Sequence, residues 1–313
     1  MILHSIAKSM QVIPVLIPIY KPDHRGLGMV IDSLVAQKKS IKFDMALYFI
    51  VDDLTSDIDH LLEPLRVFNV PYFVENNPVN KGQWSIYNNF SLNCGSKWFF
   101  ILHQDDIVRD DWFLILTTEL DNANPEKCAT ISSEWDRLPN NIFKKNTSIV
   151  STKNSDFKFD VFKTDRLDNL FKSGCWWHMS GSLVSCFVLN QINGFDSKFR
   201  YYSDFDFLLK TFACGFEHRL NHNKLVFIYS VGENESSRCF DQFVDVFEDQ
   251  DLCLKYRQNV SKSIYLSRII KNFCTFSRRL GKNVIYWKID PLSFIYLSFK
   301  FFRNSIYLLI RFF

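Results

Sequence analysis

Along the first half of the chain, short apolar runs alternate with stretches whose hydrophobic positions recur every three or four residues. The runs Val12–Ile19, Ala46–Val51, Pro71–Val74, Trp98–Leu102 and Cys128–Ile131 read as buried strands. Between them, Leu27–Gln37, Asp57–Phe68, Gln83–Asn93 and Asp111–Asp121 read as amphipathic helices. This βαβαβαβ order predicts an α/β fold with a mainly parallel, doubly wound sheet flanked by helices. Ligands of such sheets bind beyond the carboxyl ends of the strands, so chemistry is expected there.

Three of those ends are polar. The first run ends in "PIYK", the second in "IVDDLTSD" with Asp52 and Asp53, and the fourth in "LHQDD", His103 to Asp106. Two acidic strand ends on one rim repel unless a cation or a ligand's donor groups lie between them. In "IVRDDWF", Asp110 and Asp111 fall where the next helix starts, and are assigned to capping its free N–H groups. Asp105 and Asp106 precede that position, and both a turn-forming pair and a ligand-binding pair fit them.

Composition excludes disorder: 47% of the 313 residues are hydrophobic and 32 are Phe, enough for a sizeable core. The eight cysteines are scattered without a CxxC pair, which reads as reduced protein rather than a zinc or disulfide framework. Pro14 and Pro18 interrupt the N-terminal apolar run and no basic region precedes it, so no secretory leader is expected.

A net charge of +3 conceals an asymmetry, because Leu252 to Phe313 holds twelve Lys or Arg against one acid, Asp290. Such a basic segment meets an anionic surface, nucleic acid or membrane. No helix-turn-helix, RNA-binding fingerprint or zinc spacing accompanies it, so no nucleic-acid partner is expected. The terminal "LSFIYLSFKFFRNSIYLLIRFF" falls short of the ~20 uninterrupted apolar residues that span a bilayer. On a helical wheel Ser293, Tyr296, Lys300, Arg303, Asn304, Tyr307 and Arg311 share one sector, opposite a broad Leu/Ile/Phe face. That is the pattern of a helix lying in the interface of an anionic leaflet; a helix packed on the rest of the chain is the alternative.

Five blocks in order, "VLIPIYK", "IVDDLTSD", "NKGQWSIYNNFSLNCGSKWFFILHQDD", "INGFDSKF" and "YYSDFDFLLKTFACG", resemble the inverting family 2 glycosyltransferases of GT-A fold over about Val12 to Tyr229. The resemblance implies a GT-A, Rossmann-like domain over 1–235, with a nucleotide-sugar half (1–130) and an acceptor half (131–235). A basic amphipathic helical tail, 236–313, would associate with membrane. It implies that Pro18, Tyr20, Asp52, Asp53, Asn80 and Gly82 surround the nucleotide, and that His103, Gln104, Asp105 and Asp106 stand at the family's D-x-D motif. The first acid of that motif is His103 here, and the implied ligands of a divalent cation, Mn²⁺ or Mg²⁺, are Asp105 and His103. A further metal-side His that the family often carries after its last strand is missing from "VFIYSVGENESSR". The family's "ED"-type acid falls on Ser203–Asp204, which makes Asp204 the implied catalytic base; a helix-capping role is the alternative. Trp177 and His178 lie where the acceptor side is expected, although a Trp is more often core.

By resemblance, then, the chain would move a hexose from a UDP- or dTDP-sugar to a polyprenyl-diphosphate-linked saccharide, with inversion. The setting would be O-antigen or other surface-polysaccharide synthesis at the cytoplasmic face of the inner membrane. Two rivals are a non-catalytic GT-A-like membrane module, suggested by His103 and Ser203, and a sugar nucleotidyltransferase, whose phosphate loop "PIYKPDHRGLG" matches poorly.

Overall fold

The computed structural model describes residues 11–40, 42–53, 55–138, 157–163, 167–229, 235–285 and 291–312. Residues 1–10, on which the expectation of no leader rests in part, residues 230–234 of "VFIYSVGENESSR", and the charges of Lys288, Asp290 and Arg311 fall outside what is described. The strands are β1 (Gln11–Ile19), β2 (Phe43–Val51), β3 (Tyr72–Asn76), β4 (Trp98–Ile101), β5 (Asp106–Val108), β6 (Cys128–Arg137), β7 (Phe159–Phe162), β8 (Ser182–Ser185) and β9 (Glu217–Ile228). The helices are α1 (His24–Val35), α2 (Glu63–Val67), α3 (Gln83–Asn93), α4 (Trp112–Thr118), α5 (Asp168–Ser173), α6 (Cys186–Gln191), α7 (Ser203–Ala213), α8 (Glu235–Asp241), α9 (Val244–Tyr256), α10 (Lys262–Ile285) and α11 (Pro291–Phe312).

The nine strands among the described residues join one sheet in the order β3-β2-β1-β4-β8-β6-β9-β5, with β7 on β9. β3, β2, β1 and β4 run parallel, and β8 is antiparallel to both β4 and β6. This is the mainly parallel GT-A arrangement, with α1 to α4 and α6 belonging to the same compact unit. Its core joins β1, β2 and β4 residues such as Val15, Phe49 and Phe100 to Leu27 and Ile31 of α1 and Trp112 of α4. β1, β2 and β4 are buried on both faces, which explains their unbroken apolar sequence.

Three local departures from the sequence reading have identifiable causes. The apolar stretch 183–189 reads as strand-like from its sequence, but β8 stops at Ser185, whose hydroxyl accepts the Val188 N–H (3.2 Å) and starts α6. The helix expected over Asp57–Phe68 is a turn at Asp59–Leu61 followed by short α2, with Pro64 in its first turn. Asp111 stands at the N-cap of α4 without a side-chain capping bond; it pairs with Arg109, and Asp110 with Lys38 at 3.4 Å.

His218 of β9 is fully buried beside Thr130, its Nδ1 2.7 Å from the hydroxyl. Burial pulls its pKa from 6.5 down to about 3. Between those values only the unfolded chain holds the extra proton. Stability is therefore full above 6.5 and falls toward pH 3, by about 1.4 kcal/mol per pH unit. Urea unfolding at pH 7 and pH 5 should show this loss, and His218→Asn should reduce it; an identical pH slope in the variant would assign the loss to other groups.

The second unit is helical, drawn from 167–176, 196–213 and 235–312. Within this unit, buried polar contacts tie the late helices to earlier segments. The Glu248 carboxylate of α9 accepts the N–H groups of Arg200 (2.6 Å), Tyr201 and Tyr202 (both 2.9 Å). The Tyr256 hydroxyl donates to Asp206 (2.8 Å). α11 packs on α9 and α10 through Phe301, Ser305 and Leu308, with the Phe301 and Phe276 rings stacked at 4.0 Å. Its other face leaves Leu292, Ile295, Phe299, Ile306 and Ile310 exposed. No described helix is long and apolar enough to cross a membrane.

Candidate functional site

The carboxyl ends of β1, β2 and β4 are held together by their own polar side chains. Asp52, 3% exposed at the end of β2, accepts from Asn77 Nδ2 (2.8 Å) and from the N–H groups of Lys81 (2.9 Å) and Gly82 (2.8 Å). Gly82 adopts φ +74°, a left-handed conformation that favours glycine, and its N–H also donates to Asn80 Oδ1 (2.9 Å). Asp52 thus organises the loop carrying Asn80 and Gly82. Asp53 accepts from the Lys21 N–H (3.0 Å) and from the hydroxyls of Thr55 (2.9 Å) and Ser56 (2.7 Å). Burial opposes its ionisation, but these bonds together outweigh it and hold the carboxyl far below the usual range. Gln104 clamps β1: its Oε1 accepts from Tyr20 N–H (2.8 Å) and its Nε2 donates to Tyr20 O (3.0 Å). The Tyr20 ring beyond it is exposed, and Pro18 is half-buried within β1.

Past β4 the chain turns directly into β5, and this places Asp106 at a buried junction, 2% exposed. Two imidazoles converge on one of its oxygens: His103 Nδ1 lies 3.3 Å and His178 Nε2 3.1 Å from Oδ2. Gly181 (φ +76°), three residues on from His178, lies close against β9, where a Cβ would fall 2.2 Å from Val226 Cγ2. Trp135 flanks His178 at 5.4 Å between ring centroids.

One nitrogen from each imidazole and one Asp106 oxygen lie within 4.8 Å of one another. A cation with ligand bonds of roughly 2.0–2.2 Å holds adjacent donors about 3 Å apart, which the two His–Asp separations match. The residues therefore fit a divalent metal, and an imidazole-rich set favours a borderline transition ion over Mg²⁺. Burial disfavours the Asp106 anion, but the hydrogen bonds and charge of His103 and His178 prevail and keep it ionised. Asp105 is outside this donor group. Its backbone carbonyl accepts from Tyr229 N–H (3.1 Å), while burial and then the Asp106 charge push its carboxyl up to about 6.

His178, expected on the acceptor side, thus lies against Asp106. Trp177 is 3% exposed, and its indole N–H reaches Ser182 Oγ (3.2 Å), so its ring packs within the unit. The sequence reading missed Asp106 as the centre of the cluster. Its signal was the isolated His178 after two tryptophans, which periodicity cannot connect to Asp106.

In the helical unit, Asp204 occupies the first turn of α7 and lines a cavity of about 400 Å³ with Lys172, Ser173, Gly174, Cys175, Tyr201, Tyr202, Arg268 and Lys271. Glu248 fixes the three residues before α7, and a sequence reading that assigned 236–313 to a tail had no reason to single it out. Burial raises the Glu248 pKa, against the lowering effect of those three N–H bonds.

No protein-family model matches the chain, and neither does any curated protein sequence. Solved structures do. S. aureus TarS 1-349 in complex with UDP-GlcNAc aligns over 95% of this chain and 82% of its own, with TM-score 0.65 and 12% identity. A second crystal structure of TarS 1-349 covers 87% and 74%, with TM-score 0.57 and 12% identity. The mannosyltransferase PcManGT from Pyrobaculum calidifontis, in complex with GDP-Man and Mn²⁺, covers 97% and 87% with TM-score 0.51 and 10% identity. At such identities the likeness establishes the fold.

Proposed function

We propose that this chain is a metal-assisted, inverting glycosyltransferase of the family 2 type, moving one hexose from a nucleoside-diphosphate sugar to a lipid-linked saccharide. The observation that carries the reading is the His103–Asp106–His178 donor set at the carboxyl end of β4 in a GT-A sheet. Neighbours of the same fold bind UDP-GlcNAc, or GDP-Man with Mn²⁺, which supports a nucleotide-sugar donor here.

In this reading the β1 and β2 ends receive the nucleotide. Tyr20 offers its exposed ring to the base, and the loop that Asp52 and Asp53 hold in shape presents Asn80 and Gly82. His103, Asp106 and His178 would hold the cation, which would supply positive charge to offset that of the diphosphate. Asp204 accepts the proton of the acceptor hydroxyl as that oxygen attacks the anomeric carbon opposite the diphosphate, giving inversion. The exposed Leu/Ile/Phe face of α11, with Arg303 beside it, supports a peripheral place on an anionic leaflet at the cytoplasmic face of the inner membrane. Surface-polysaccharide synthesis, of O-antigen type, is the matching pathway.

The test is a panel of UDP-, dTDP- and GDP-sugars with a GlcNAc-diphosphate-lipid in phosphatidylglycerol vesicles, with Mn²⁺, Mg²⁺ or EDTA, reading released nucleoside diphosphate. One donor should turn over with Mn²⁺ and stop with EDTA, and the protein should sediment with the vesicles at low salt. Absence of calorimetric binding by every nucleotide sugar would sink the reading in favour of a non-catalytic module.

A further inference from the structure

The cavity around Asp204 is unlike a site for a neutral sugar. Three of its lining side chains are cationic, Lys172, Arg268 and Lys271, and one is acidic, Asp204. Arg268 and Lys271 stand three residues apart on α10, on the same side of the helix, and Lys172 comes from the last turn of α5. The cations therefore reach the cavity from two helices.

Their environments differ in a way that separates structure from binding. Arg268 is built in: its Nε donates to Asp249 Oδ1 (2.8 Å) and its Nη1 to Phe171 O (2.6 Å). The guanidinium also sits about 5 Å from the Phe171 and Phe205 ring centroids. Asp249 answers most of its charge. Lys172 and Lys271 are exposed, and among the described residues neither has an ion pair or hydrogen bond. Tyr201 and Tyr202 have pKa values raised by burial and then by nearby acids, so both stay neutral phenols able to donate hydrogen bonds. The wall thus offers ammonium, guanidinium and phenol donors around about 400 Å³, room for a sugar ring together with phosphate. Lysine ammonium groups bind phosphate as point charges, without the planar fork a carboxylate prefers.

We infer that Lys172 and Lys271 bind a phosphate group of the acceptor, so that the hydroxyl presented to Asp204 belongs to a sugar linked to phosphate. The inference rests on the reading of Asp204 as the base, and it names the acceptor as an anion. A diphosphate linker to a lipid and a phosphodiester within a polymer share this chemistry.

Calorimetry on the full chain distinguishes these cases. The probes are N-acetylglucosamine carrying benzyl diphosphate at C1, a benzyl phosphodiester twin, the neutral benzyl glycoside and inorganic pyrophosphate; UDP is measured in parallel. The expected result is that an anionic glycoside binds more tightly than the neutral one, and that Lys172→Gln with Lys271→Gln weakens it by about tenfold or more while UDP binding stays constant. Tighter binding of the diphosphate points to a lipid linker, and of the phosphodiester to a polymer. Equal affinity of neutral and anionic glycosides, no binding of either anionic glycoside, or no effect of the two substitutions overturns the inference. So does pyrophosphate binding as tightly as its glycoside, which marks a free-anion site, or UDP weakened in parallel, which marks a nucleotide site. Failure of the transferase reading is seen separately, as loss of nucleotide-sugar binding in the wild type.

Discussion

Asp204→Asn is expected to lower kcat by about 10²–10⁴-fold while leaving nucleotide-sugar binding unchanged, the loss that removal of a general base produces. Asn keeps the shape and the local bond in which Asp204 Oδ1 accepts the Phe205 N–H (2.8 Å), so α7 should start as before. A capping role alone would instead leave turnover and melting temperature near wild type, because Asn caps as well as Asp. Glu248 supplies the companion variant. Glu248→Gln cannot accept three backbone N–H groups as well as a carboxylate does, so residues 200–202 should loosen ahead of Asp204. As a positioning residue it should lower kcat with the donor KM unchanged. If Asp204→Asn retains wild-type turnover, Asp204 is not the base; if Glu248→Gln changes only thermal stability, Glu248 does not position it.

The legible part of the fold was the part with strong local pattern. β1, β2 and β4 are buried on both faces and read as unbroken apolar runs, and the acids at their ends stood out because nothing in a strand core needs them. β5 escaped because three residues, Asp106–Val108, are too few to show a period. α6 escaped because its start depends on one serine hydroxyl rather than on a change in hydrophobicity. The site was half legible for a related reason. Asp52 and Asp53 are local to their strand end, whereas the bond between His178 and Asp106 joins residues 72 apart in sequence. The terminal helix carried two patterns at once. Its basic positions and apolar breadth were visible, but the stripe of Phe301, Ser305 and Leu308 that faces α9 and α10 is set by packing that sequence does not show.

The metal centre gives the other large effect. If Asp106 holds the cation between His103 and His178, Asp106→Asn should weaken Mn²⁺ binding by about a hundredfold or more, since even outer-shell changes cost 10–100-fold. Mn²⁺ binding can be read by electron paramagnetic resonance without any sugar present, so the result is independent of donor identity. His103→Ala and His178→Ala should each weaken binding too, because each removes one donor of three. Asp105→Asn tests the competing ligand suggested by the D-x-D resemblance. Asp105 lies outside the donor set and its carboxyl is raised to about 6, so its replacement should leave Mn²⁺ affinity within a few-fold of wild type. The reverse order, with Asp105→Asn abolishing binding and Asp106→Asn tolerated, would move the cation to Asp105. Asp106 would then be a buried acceptor that orders two imidazoles, a structural role for which its two hydrogen bonds already suffice.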